Sequence, residues 1–188
     1  MPRVKSIVRT AATGLAVPAF IAVALAARCD PRRASANTRP PTPEDSVEQV
    51  MFGGRSVLVS GGTRRGEVSG DTVSTYDAAT RFEFHGVHAL FTNPLDRPLS
   101  TLTAKTGTYR LGHAVFDAHG PVTIVSDTSK RRLEGNTVRY DIMQNRLSSD
   151  SAFVATSGTR RLTGVGFTAD PGLFSVKCLQ SCIGSLGQ

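Results

Sequence analysis

Leu102-Thr-Ala-Lys-Thr-Gly-Thr-Tyr109 and Phe116-Asp-Ala-His-Gly-Pro-Val-Thr-Ile124 are followed by a near restatement, Leu133-Glu-Gly-Asn-Thr-Val-Arg-Tyr140 and Leu147-Ser-Ser-Asp-Ser-Ala-Phe153. The offset is constant: Leu102 corresponds to Leu133, Tyr109 to Tyr140, Phe116 to Leu147 and Val122 to Phe153. Upstream, Phe82, Gly86 and Leu90 fall under Phe116, Gly120 and Ile124, and Val68-Ser-Gly70 falls under Leu102-Thr-Ala104, while a fainter copy begins at Leu162-Thr-Gly164. Self-similarity at a period of roughly 30 residues means one small supersecondary unit stacked on itself, each copy covering its neighbour's apolar face. Function is then expected on an extended surface or trough that the repeats build together.

The units are β in character. Phe82, Phe84, Gly86, His88 and Leu90 share one parity, as do Phe116, Ala118, Gly120, Val122 and Ile124, and alternation places each set on one face of a sheet. Turn residues stand between them: Gly61-Gly62, Asn93-Pro94, Arg110-Leu-Gly-His113, Asp141-Ile-Met-Gln-Asn145, Ser157-Gly158 and Asp170-Pro-Gly172. The expected fold is all-β, an antiparallel sheet that is rolled or sandwiched; a short segment near residues 46–52 is the one place where a helix fits. Glycine at the same place in two units, Gly86 and Gly120, predicts a bulge or bend repeated along the sheet, hence a curved trough.

Upstream of this domain, residues 1–29 read as an export signal or membrane anchor: Arg3, Lys5 and Arg9 precede an uncharged apolar run over residues 11–27. Leu25-Ala-Ala-Arg-Cys29 resembles a lipoprotein processing site with Cys29 as the acylated residue, although Arg28 stands where such sites carry a small residue. An uncleaved signal anchor and plain secretion are the alternatives, and all three deliver the folded part outside the cytoplasm. Residues 30–46 contain four prolines and almost nothing to bury, which is a stalk, and residues 47–188 form the folded domain.

The chain carries a formal net charge of +7, but only +4 of it falls in residues 50–188, where it is scattered among turns. That is too mild to indicate nucleic acid. No Gly-x-x-x-x-Gly-Lys-Ser/Thr run or Gly-x-Ser-x-Gly elbow occurs, so neither a nucleotide site nor a serine nucleophile is expected. His85 and His88 are expected on opposite faces of a strand, away from any Cys or carboxylate cluster, so no metal, cofactor or catalytic role is assigned. Cys178 and Cys182 would be about 13 Å apart on an extended strand, so a disulfide between them requires a turn. In an oxidising compartment, with Cys29 acylated, pairing is the simplest expectation, because a zinc site would need further ligands at this end.

The inward-facing candidates are Phe82, Phe84, Leu90, Leu102, Phe116, Val122, Ile124, Leu133, Leu147, Phe153 and Leu162. A closed core and an open sleeve would use the same residues. The edges expected to be free for strand addition are Ser56-Val57-Leu-Val59 and Phe174-Ser-Val176-Lys177.

Taken in order, Leu102-Thr-Ala-Lys to Tyr109, Phe116-Asp-Ala-His-Gly-Pro-Val122, Arg132-Leu-Glu-Gly to Asp141, Asn145-Arg-Leu-Ser-Ser149 and Leu162-Thr-Gly-Val-Gly-Phe-Thr-Ala-Asp170 resemble the LptC-type periplasmic proteins of the lipopolysaccharide export (Lpt) bridge, within the OstA/LptA-type superfamily. The resemblance spans residues 52–178. It implies a twisted, rolled β-jellyroll whose apolar interior holds the acyl chains of lipopolysaccharide. It also implies an N-terminus anchored in the inner membrane beside an ABC transporter, and a C-terminal edge that pairs with an LptA-like bridge protein. Asp30 after an acylated Cys29 would favour retention in the inner membrane. A soluble LptA-like unit, or a structural or adhesive surface lipoprotein with a closed core, are the alternatives.

Overall fold

The computed structural model describes residues 46–187; residues 1–45, with Cys29 and nearly all of the stalk, lie outside them. Eleven strands follow in chain order: β1 (Gln49–Phe52), β2 (Arg55–Ser60), β3 (Thr63–Ser69), β4 (Thr72–Tyr76), β5 (Arg81–Thr92), β6 (Pro98–Arg110), β7 (Val115–Ser126), β8 (Arg131–Asp141), β9 (Arg146–Ser157), β10 (Arg160–Ala169) and β11 (Val176–Gly184). They form one antiparallel sheet in the order β1-β4-β5-β6-β7-β8-β9-β10-β11. The β2-β3 hairpin joins through the second half of β5, whose first half pairs with β4. The segment that fitted a helix near residues 46–52 is strand β1 instead, because Gln49 to Phe52 pair with Thr75 to Thr72.

The sequence repeat has a direct structural meaning. One period is two strands, so equivalent residues lie two strands apart at the same height. Val68, Ala89, Leu102, Ile124, Leu133, Ala155 and Leu162 are successive register partners across seven strands. Phe82, Tyr109, Phe116, Tyr140, Leu147 and Ala169 make a second such row at the other end of the strands. Apolar partners at this spacing are the unit by which a sheet is stabilised.

Between the two rows the long strands are irregular. Register shifts fall between Thr103 and Thr106, His119 and Val122, Gly135 and Arg139, and Val165 and Phe167, while Gly86 and Gly120 have φ of 64° and 92°. A bulge turns the following residues to the other face. In β5, whose pairing with β6 runs in step through this point, the left-handed residue Gly86 breaks the alternation, so inward positions pass from Phe84 to Val87, Ala89 and Phe91, and His88 and Leu90 fall on the outer face, contrary to the parity read from the sequence. His85 and His88 consequently share that outer face rather than opposing ones.

The sheet also curls. Strands β5 and β8 are separated by β6 and β7, and Tyr140 stands level with Phe82, nine residues along β5 from Phe91, so Phe91 and Tyr140 would lie about 30 Å apart on a flat sheet. Their ring centroids are 4.7 Å apart, edge to face. The same diagonal closure brings Ser60 Oγ to Met143 Sδ at 3.5 Å and Ser100 Oγ to the carbonyl of Pro171. The core is thus the sheet's own inner face folded onto itself.

Gly120 tests the bend. A Cβ there would sit 2.7 Å from Lys105 Cβ at a φ that L residues rarely adopt. Gly120→Val should lower the unfolding free energy in urea by about 1–3 kcal/mol, whereas Gly112→Ala, which meets nothing within 4 Å, should change it by less than about 0.5 kcal/mol. Equal effects would mean that the bend does not need its glycine.

Candidate functional site

Of the residues expected to face inward, Phe84, Leu102, Phe116, Val122, Ile124, Leu133, Leu147, Phe153 and Leu162 are buried in one continuous cluster. Phe82 is partly buried against it. Leu90 does not join them, because the bend at Gly86 turns it to the outer face. Its place is taken by Val87, Ala89 and Phe91, which the alternation rule assigned to the wrong side. Aromatic rings support the interior pairwise: Phe84 meets Phe116 edge-on at 6.0 Å, and Phe153 lies 5.1 Å from Phe167. In this conformation the interior is filled by its own side chains, so a guest would have to part the curled sheet.

Leu173 completes that filling. It lies in the turn between β10 and β11, fully buried, at a φ of 56°. The Asp170 carboxylate holds the turn by accepting the backbone N–H of Gly172, Phe174 and Ser175 at 2.9, 3.2 and 2.6 Å. Asp170-Pro-Gly172 signalled the turn in the sequence, but nothing local signalled that its leucine would plug the core.

The second candidate surface is the pair of sheet ends. Strand β2 is free on one side, with Val57 and Val59 each 48% exposed while Leu58 between them is buried. Strand β1 exposes Val50, Met51 and Phe52, the last by 82%. At the other end β11 presents Leu179 and Ile183, and Val176 opens the strand half-buried. Phe174 is exposed but precedes the strand, in the turn, so the C-terminal edge runs from Val176 through the cysteines rather than over residues 174–177. The Sγ atoms of Cys178 and Cys182 are bonded and their Cα atoms lie 5.9 Å apart. The chain turns there as that distance demands: Ser181 has a φ of 50°, and β11 gains one residue on β10 between Val165↔Gln180 and Thr163↔Ile183.

The outer face carries charge. Asp117 accepts Arg139 Nε at 2.7 Å and Arg110 at 3.3 Å, and that hydrogen bond raises the Arg139 guanidinium above its ordinary value. Thr137 Oγ1 lies 2.6 Å from Ser151 Oγ and 3.2 Å from Ser149 Oγ. Asp117, Arg139, Thr137 and Ser149 line a groove of ≈ 490 Å³ in which acid, base and hydroxyls are largely engaged with one another. Among the described residues no three His, Cys, Asp or Glu side chains converge as metal ligands, and no helix is long and apolar enough to cross a membrane.

No family model and no curated protein matches this chain. Among solved structures it is similar to the crystal structure of LptH, the LptA homologous periplasmic component of the conserved lipopolysaccharide transport device from Pseudomonas aeruginosa. The identity is 15%, the match covers 64% of this chain and 94% of that one, and the TM-score is 0.49.

Two measurements probe these elements. Tyr140 donates to Asn145 Oδ1 at 2.8 Å, and burial pushes its phenol, like that of Tyr109, above the ordinary 10.0. A phenol held neutral by the fold contributes stability that is complete below the unfolded value and is lost as pH rises through it towards the folded value. The melting temperature should therefore fall above about pH 10, and fall less steeply in Tyr140→Phe; parallel curves would exclude Tyr140 as the cause. Separately, opening the five-residue disulfide loop with Cys178→Ser and Cys182→Ser together should cost about 2 kcal/mol in a denaturant titration. No change would mean that the β11 bulge forms without the cross-link.

Proposed function

We propose that this chain is a membrane-tethered periplasmic lipid carrier of the LptC type. It takes lipopolysaccharide from an inner-membrane ABC transporter and passes it through its apolar interior to an LptA-like bridge protein. The tether is the N-terminal segment, either acylated at Cys29 or retained as an uncleaved anchor. The observation that carries the reading is the apolar row from Val68 to Leu162, which crosses seven strands of a sheet whose two ends stay unpaired. An interior of that form offers acyl chains one continuous apolar path, and each methylene moved into it contributes about 0.8 kcal/mol. Free strands at β2 and β11 offer neighbouring bridge components a backbone ladder, with Val57, Val59 and Val176 beside it. No step in this role needs a nucleotide, a metal or a covalent intermediate in the chain itself, because the transporter supplies the energy.

A structural or adhesive surface lipoprotein is the second reading. It is favoured by the completeness of core burial without a guest, Leu102, Phe116 and Leu133 being fully inaccessible.

A photo-crosslinking residue at Phe116, Leu102 or Phe153 of the full chain, expressed in an envelope that makes lipopolysaccharide, separates the two. Lipid adducts at these positions, with none from a probe at Ser46, are the expected result. A folded protein that yields no adduct at any of the three would exclude the carrier and leave the closed platform.

A further inference from the structure

At the end of the roll where β8, β9 and β10 meet the C-terminus, two grooves run into one another. The first, of ≈ 740 Å³, is walled by Leu162, Phe174, Val176, Leu186 and the Cys178–Cys182 disulfide. The second, of ≈ 570 Å³, is walled by hydroxyls and two cations, with Ser129, Ser157, Thr159 and Arg160 among its residues. Arg131, Phe174 and Leu186 belong to both. Each volume lies within the ordinary range of small-molecule sites, about 300–1,000 Å³.

The composition of the pair is one-sided. Among the described residues neither groove is lined by an acidic side chain. Arg131 donates to the carbonyls of Leu173, Phe174 and Gly187 at 2.9, 2.6 and 3.0 Å, and among the described residues it makes no ion pair with a carboxylate. Among the described residues its charge is therefore met by carbonyl oxygens alone. Arg131 Nε and Ser129 Oγ are both buried without a partner, and both residues line the polar groove. Buried donors left open in this way are costly unless something accepts from them.

We infer that this end of the roll binds a single-chain amphiphile with a phosphate headgroup. The alkyl chain lies along Leu162, Val176, Leu186 and the disulfide, and the phosphate sits between Arg160 and Arg131 with the hydroxyls of Ser129 and Thr159 around it. A tetrahedral dianion accepts more hydrogen bonds than a carboxylate and suits two guanidinium groups with flanking hydroxyls. The site goes beyond the carrier reading, since it requires neither an opened interior nor a second protein.

The test is a calorimetric titration of the full chain with n-dodecyl phosphate below its micelle concentration, alongside n-dodecyl maltoside and inorganic phosphate. Dodecyl phosphate should bind about tenfold or more tightly than either comparator, since a hydrogen-bonded charge and an apolar chain each contribute roughly that factor. Arg160→Gln and Leu186→Asn should each weaken it about tenfold, while Arg146→Gln, at the opposite end of the strands, should not. Equal binding of the maltoside, equal binding of inorganic phosphate, or unchanged affinity in both site variants would overturn the proposal. A photo-crosslinker at Leu186 keeps this site distinct from the interior. Dodecyl phosphate adducts at Leu186 support it whatever happens at Phe116, and adducts at Phe116 with none at Leu186 overturn it while leaving the carrier reading intact.

Discussion

A sheet with one apolar face and, among the described residues, no α-helix to cover it must bury that face against itself. Everything else in this domain follows from that constraint. The two apolar rows, one from Val68 to Leu162 and one from Phe82 to Ala169, are laid down by strand register. They become a core only because the sheet curls until Phe91 on β5 meets Tyr140 on β8. A right-handed twist alone carries neighbouring strands through a limited angle, and the bulges at mid-strand add the bend. The glycines with positive φ at Gly86 and Gly120 are where that bend is cheapest for the backbone.

Curling, unlike barrel closure, leaves the sheet with ends. Strands β1 and β2 on one side and β11 on the other carry unpaired backbone groups and exposed apolar side chains such as Phe52 and Ile183. Exposed edges of this kind are either guarded or used. The disulfide bulge in β11 interrupts the flat ladder a passing strand would need, so the C-terminal edge is regular from Val176 to Gln180 and irregular beyond it. The β2 edge has its own irregularity between Leu58 and Val59. Bulges of this type restrict which strands can add, and at which register.

The same curl sets the terms on which the interior could hold a guest. Side chains that are fully buried lose dispersion contacts when they separate, and a large-to-small change in such a core costs about 2–5 kcal/mol. An incoming acyl chain must replace those contacts as it enters. One seam is held differently: the turn carrying Leu173 meets Ser100 and Arg131 through side-chain hydrogen bonds to its backbone carbonyls instead of through a strand ladder. Parting that seam would leave every strand pair in the sheet intact.

Much of this was legible in the residues. The repeat from Leu102 to Leu133, the alternation, the turn residues and the paired glycines specified an antiparallel sheet with a recurrent bend, and they named most of the inner face. The errors have one cause. Alternation is a local rule, and a left-handed residue resets it, so the rule puts Leu90 inside and Phe91 outside although Gly86 stands between Phe84 and Val87. The linear chain also held no sign that Leu173 would plug the core, or that Arg131, Arg160 and the C-terminal residues would share one end of the roll. Strand identity and register are written in side-chain order because hydrogen-bonding partners are set by period and turn. Which faces and ends finally meet depends on twist and bend summed over many strands, and only the tertiary structure decides that.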